Sequence, residues 1–91
     1  MSRYVAAYDV SDDRRRDRVA RVLSGYGERV QRSVFEIWLE PEEVPLLKRE
    51  VGPLLARTDA FHLFPVDERG TRRTIAWQHP LPQREPVLLI G

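Results

Sequence analysis

The chain contains no cysteine, which excludes disulfides, zinc fingers, iron–sulfur clusters and thiol nucleophiles. A secreted domain of this size usually needs covalent staples, so their absence points to the cytoplasm. Asparagine is also missing, and lysine occurs once against fourteen arginines. No apolar run approaches the roughly 20 residues of a membrane helix. The most apolar stretch is Val87-Leu88-Leu89-Ile90, so the sequence reads as having neither a membrane span nor a signal peptide. There is no Walker loop, GxGxxG, HExxH or Ser/His/Asp arrangement.

What remains is 91 residues, enough for one small domain, 42% hydrophobic and 32% charged. The formal net charge is only +1, but its distribution is uneven. Residues 1–32 carry a net of +3 and residues 33–91 a net of −2. Arginine grips phosphate through two parallel N–H donors, as lysine does not. The same excess also fits a GC-rich or heat-adapted residue bias, as does the lack of asparagine.

Tyr4 to Val10 reads as a strand covered on both faces. Ser11 is placed to cap the following helix, with Asp12 and Asp13 at its positive end. Val19, Val22, Leu23 and Tyr26 form that helix's apolar stripe, and Gly25 and Gly27 end it. Glu28 to Leu39 reads as one long strand bent near Ser33. Phe35, Ile37 and Leu39 lie on one face, Val30, Val34 and Trp38 on the other. Pro41 to Ala56 has helical spacing, interrupted at Gly52-Pro53. Ala60 to Val66 is a further strand, Asp67 to Gly70 a turn and Arg72 to Trp77 a short strand. His79 to Pro86 is a Pro-rich linker, and Val87 to Ile90 a tail strand.

This order predicts an α+β fold, a ferredoxin-like two-layer sandwich. A βαββαβ-type antiparallel sheet carries two helices on one face, plus a C-terminal tail strand. The domain spans 1–78 and the linker and tail 79–91. Val34, Trp38, Phe64 and a Tyr4/Tyr8 row suggest that the second face is also apolar. The chain has little left to cover it, so a two-fold homodimer, sheet against sheet, is expected.

Chemistry concentrates at Tyr8-Asp9, where the first strand ends. A carboxylate there suits a hard ion, and magnesium needs one or two carboxylates plus water and phosphate oxygens. Two copies of Asp9 across a dimer axis would share one ion; the alternative is a turn-forming, helix-capping Asp. At about 100° per residue, Arg15 and Arg16 fall near the helix's apolar side, within reach of Asp9. Arg14, Arg18 and Arg21 point away. Arg16 then either holds a phosphate or pairs with a neighbouring Asp. Arg29 and Arg32 track a nucleic-acid backbone or are simply solvated. Tyr8 and His62 read more readily as packing than as chemistry.

Tyr8-Asp9-Val10-Ser11-Asp12-Asp13, Arg16-Asp17-Arg18-Val19-Ala20, Gly27-Glu28-Arg29-Val30-Gln31 and Ser33-Val34-Phe35-Glu36 together resemble the CRISPR-associated protein 2 family. Asp59 to Pro65 resembles that family's D-x-hydrophobic-x-hydrophobic-aromatic-P strand. The family's usual Cys-containing turn after that proline is replaced here by Val66-Asp67-Glu68-Arg69. The resemblance implies a ferredoxin-like homodimer with a divalent ion, usually magnesium, near the paired Asp9 residues. It also implies metal-dependent endonuclease activity on RNA or DNA and work with the CRISPR integrase in spacer acquisition. By motif position, Asp9, Tyr8 and Arg16 would be catalytic, Asp9 the metal ligand, and Arg14, Arg16, Arg18 and Arg29 the nucleic-acid contacts. Phe35 also matches a recurrent position. The alternative is a non-catalytic DNA-binding adaptor of the spacer-acquisition complex. A small-ligand sensor on the same fold is disfavoured by the missing Gly-rich loop.

Overall fold

A computed structural model describes residues 1–75. The elements are β1 (Ser2–Asp9), α1 (Asp13–Ser24), β2 (Gly27–Gln31), β3 (Val34–Leu39) and α2 (Glu43–Val51). A 3-10 turn (Gly52–Leu54), β4 (Ala60–Val66) and α3 (Glu68–Arg73) follow. The strands form one antiparallel sheet in the order β2-β3-β1-β4. This is the ferredoxin-like α+β sandwich that the sequence predicts. The expected boundary at residue 78, the Pro-rich linker and the tail strand lie outside the described residues.

Alternation along the strands decides the two faces. Tyr4, Ala6 and Tyr8 of β1 pair with Ile37, Phe35, Pro65, Leu63 and Phe61, and these face the helices. Val19, Ala20 and Leu23 of α1 and Leu47 and Val51 of α2 close the core over them. Each large aliphatic side chain buried there contributes about 1.5–3 kcal/mol relative to exposure. The open face carries Arg3, Val5, Ala7 and Asp9 on β1, Val34, Glu36 and Trp38 on β3, and His62, Phe64 and Val66 on β4.

The expected second apolar face is therefore correct for Val34, Trp38 and Phe64, and incorrect for Tyr4 and Tyr8, which belong to the helix-side core. Phe64 is 51% exposed. Within this face Arg3 donates through Nε (2.6 Å) and Nη2 to both carboxylate oxygens of Glu36. Glu36 is 4% exposed. A buried pair of this kind offsets a large desolvation cost only because both oxygens are engaged.

Three local expectations change. The long strand is a hairpin: β2 turns at Arg32-Ser33 and pairs back on β3, with a register shift between Arg29 and Gln31. A straight strand of that length would leave a row of unpaired backbone groups, and folding back satisfies them. The β1 backbone helps hold the turn, since Tyr8 N–H donates to the Ser33 carbonyl (3.1 Å). The α1 cap is Asp12 rather than Ser11, its side chain accepting from Arg15 N–H. The interruption expected at Gly52-Pro53 is present: the second helix passes there into a 3-10 turn, because proline lacks the N–H that α-helical continuation needs. Finally, the expected strand from Arg72 is helical through Arg73. Asp67 caps α3 by accepting from Gly70 N–H (2.7 Å), and Glu68 and Arg72 pair one turn apart (3.1 Å).

Candidate functional site

β1 delivers two neighbouring residues to opposite faces. Tyr8 enters the core, its ring 6.3 Å from that of Phe35 and its hydroxyl 3.5 Å from the Arg32 carbonyl. Asp9 is exposed at the end of the open face, and its carboxylate makes no hydrogen bond or ion pair with another described residue. The two are adjacent in sequence but are not brought together as side chains.

After Asp9, buried Val10 turns the chain into α1. Arg16, one turn into the helix, donates Nη1 to the Val10 carbonyl (3.0 Å) and pairs with Asp13. Its guanidinium is thus anchored one residue from Asp9 and not on it. Arg15 is tied elsewhere, through Nε to Asp59 (3.1 Å) and more loosely to Asp12 (3.7 Å). The angular sorting of the arginines holds: Arg15 and Arg16 are half-buried, while Arg14, Arg18 and Arg21 are exposed. Arg29, also exposed, lies with its guanidinium 5.3 Å over the Phe35 ring at the hairpin edge. Neither α1's outer side nor Arg29, which pairs with the core residue Phe35, shares a face with Asp9.

Asp59 is the residue that sequence reasoning left without a role. Its side chain is 1% exposed and accepts from Ala56 N–H (2.8 Å), Arg15 and Ser11 N–H (3.4 Å). The Ala56 N–H, then Arg15 and Ser11, hold its carboxyl below the usual carboxylate range. The network straps the β1–α1 loop to the start of β4. Its only sequence signal was the aspartate that opens the Asp59–Pro65 motif. Asp12 is likewise lowered, chiefly by Arg15 N–H. On the far layer, Tyr26 donates to Glu50 (2.5 Å), and that bond pushes its phenol up to about 12. A shallow groove there is lined by Arg18, Arg21, Val22, Gly25, Glu50 and Leu54. It lies between the helices, away from Asp9.

An exposed carboxylate at a strand end is the hard oxygen donor that magnesium takes, with water and phosphate oxygens filling its shell. Among the described residues no three His, Asp or Glu side chains cluster as a ligand set. The described residues of one chain thus contribute Asp9 alone. No helix among these residues is long and apolar enough to cross a membrane.

The family model described as CRISPR associated protein Cas2 matches residues 1–74. A relative from Rhodospirillum rubrum, named CRISPR-associated endoribonuclease Cas2 4, is 46% identical over 95 residues, covering 99% of this chain and 75% of its own length. One from Thermus thermophilus, named CRISPR-associated endonuclease Cas2 2, is 45% identical and covers 96% of this chain and 94% of its own. Among solved structures, a hypothetical protein from Thermus thermophilus is similar with TM-score 0.79 and 38% identity, over 90% of this chain and 98% of that one. Streptococcus pyogenes Cas2 is similar with TM-score 0.75 and 27% identity, over 82% and 98%. A chain in a partial Cas6-RT-Cas1–Cas2 complex shares the fold, with TM-score 0.77 at 22% identity, over 96% and 100%.

Proposed function

The chain belongs to the Cas2 family of CRISPR-associated proteins, and from that membership we propose that it is a metal-dependent endonuclease cleaving phosphodiester bonds in RNA or DNA. The observation that carries this reading is Asp9: an exposed carboxylate without a partner among the described residues, on a sheet face that residues 1–75 leave largely open. A two-fold homodimer covers Trp38, Phe64 and Val34 and supplies a second Asp9. The two carboxylates then suit one magnesium ion, which when bound neutralises phosphoryl charge and makes water more acidic.

The chain's own residues do the positioning. Arg16, held at the Val10 carbonyl, presents charge beside the strand end, where it orients a phosphate and offsets developing negative charge. Arg14 and Arg18 reach the backbone from the outer side of α1, and Arg29 from the hairpin. Tyr8 acts through the core, its ring fixing the strand end from behind.

The test is cleavage of single-stranded RNA, single-stranded DNA and duplex DNA, with magnesium and with chelator. Wild type is expected to cut at least one of them slowly in magnesium and none in chelator. Asp9→Asn is expected to fall to background with an unchanged or higher melting temperature, since Asp12 caps α1 without it. Full activity in Asp9→Asn would move the site elsewhere.

A second reading is favoured by the exposure of Arg14 and Arg18. In it the dimer is a DNA-binding adaptor of the spacer-acquisition complex, docking the CRISPR integrase through residues 79–91 beyond the 1–78 domain. A solved assembly described as Cas6-RT-Cas1–Cas2 contains a chain of this fold, which supports that arrangement. Asp9→Asn separates the readings: the adaptor role survives it and cleavage does not.

A further inference from the structure

Phosphodiester hydrolysis needs a proton for the leaving oxygen, and Asp9 and the arginines do not supply one. Arginine stays protonated in proteins. Asp59, the buried carboxylate nearest in sequence to β4, is consumed by its own donors.

His62 is the only imidazole among residues 1–75. In the register of β1 with β4, Ala7 faces His62 and Asp9 faces Ala60. His62 and Asp9 are therefore diagonal neighbours on adjacent strands and on the same open face, at a spacing of about 7–8 Å. The intervening positions are two alanines, which leave room above the sheet. His62 is exposed, and its ring lies parallel to that of Phe64, with centroids 5.8 Å apart and planes 9° apart. That stack orients the imidazole without occupying either nitrogen. Among the described residues no hydrogen bond or ion pair engages the ring. The other charged groups of this face are Arg3 and Glu36, which bind one another, and Glu28 on β2 opposite Glu36.

We propose that His62 is a catalytic residue of the Asp9 site, donating the proton that the leaving oxygen takes when the phosphodiester is cut. This rests on the reading of that site as a nuclease centre. A water oxygen forms the new bond to phosphorus and releases a proton to solvent. The bond from phosphorus to the bridging oxygen breaks, its electron pair stays on that oxygen, and the imidazolium proton transfers to it. The alcohol departs and the neutral imidazole takes a proton back from solvent.

The experiment compares wild type, His62→Gln, His62→Phe and Asp9→Asn, each as the full chain with magnesium. The probe is a single-stranded oligoribonucleotide with one scissile linkage. It is made with normal oxygen, with sulfur at the bridging 3′ position, or with sulfur at the bridging 5′ position. A departing thiolate needs no proton. His62→Gln and His62→Phe, the second of which keeps the stack on Phe64, are expected to lose about 100-fold or more in kcat on the oxygen linkage, with KM little changed. Both should recover towards wild type on one of the sulfur linkages. Asp9→Asn should stay inactive on all three. Unchanged kcat in both His62 variants, or loss that neither sulfur linkage relieves, overturns the role of His62 while leaving the Asp9 reading intact. Absence of cleavage by wild type, or full cleavage by Asp9→Asn, overturns both.

Discussion

Behind the exposed carboxylate of Asp9 stands a second one whose position is fully determined. Asp59 accepts from two backbone N–H groups and twice from one guanidinium, and so ties the loop after β1 to the strand beside it. Its folded pKa lies below the ordinary value of 3.8. A depressed carboxylate contributes stability that is present above the unfolded pKa and is lost as pH falls through the folded one. Asp59→Asn is therefore expected to melt several degrees below wild type at neutral pH, with the gap closing as the pH drops below 3.8. Melting curves across that range check it, and a gap that persists in acid would show that geometry matters and charge does not. Asp9 and the outward arginines were legible in the sequence because strand alternation and helical angle are local. Asp59 and the Arg3–Glu36 pair were not, since their partners lie 44 and 33 positions away and only the tertiary fold joins them.

The hairpin of β2 and β3 teaches the same at the next scale. Strand character and facing were readable through Phe35, Ile37 and Leu39. The reversal at Arg32-Ser33 was not, because it uses no glycine, proline or asparagine and is held by pairing to β1. The α3 helix hid similarly, its evidence being one Asp cap and one ion pair among residues that propensity leaves undecided. Where the hairpin begins, Gly27 has a steric reason to be glycine. A Cβ there would meet the Glu36 carbonyl oxygen at 2.0 Å and the Ile37 Cα at 2.6 Å, both backbone atoms that cannot rotate aside. Gly27→Ala is expected to part β2 from β3 and to destabilise the fold by about 2 kcal/mol or more, within the range of strained backbone substitutions. Urea denaturation measures it. A variant as stable as wild type would mean that β2 is free to slide along its neighbour.

Residues 1–75 form a sheet with helices on one side and a largely apolar surface on the other. Sedimentation at micromolar concentration should report about twice 10.7 kDa. Phe64→Glu puts a charge on that surface without touching the helix-side core, and should give a folded monomer. A wild-type monomer would remove the basis for two Asp9 carboxylates meeting. The layer of arginines on α1 has a separate readout. Arg14→Ala and Arg18→Ala should weaken binding to duplexes of any sequence. Each should also flatten the dependence of log affinity on log salt by about one for every phosphate it no longer neutralises. An unchanged slope would mean that these side chains do not touch phosphate. Fold class and the open, partly apolar second face of the sheet were readable at this scale because two helices cannot cover both faces of a four-stranded sheet.

Tyr8 inward and Asp9 outward also set how the gene for this protein can change in length. Removing either Ala6 or Ala7 alone breaks the alternation of β1, so that either Tyr4 leaves the core or Asp9 is driven into it. Removing both restores the alternation with a shorter strand. Insertions and deletions in this stretch are therefore tolerated in pairs, and a library of single-codon and double-codon deletions should sort into inactive and active members by parity alone.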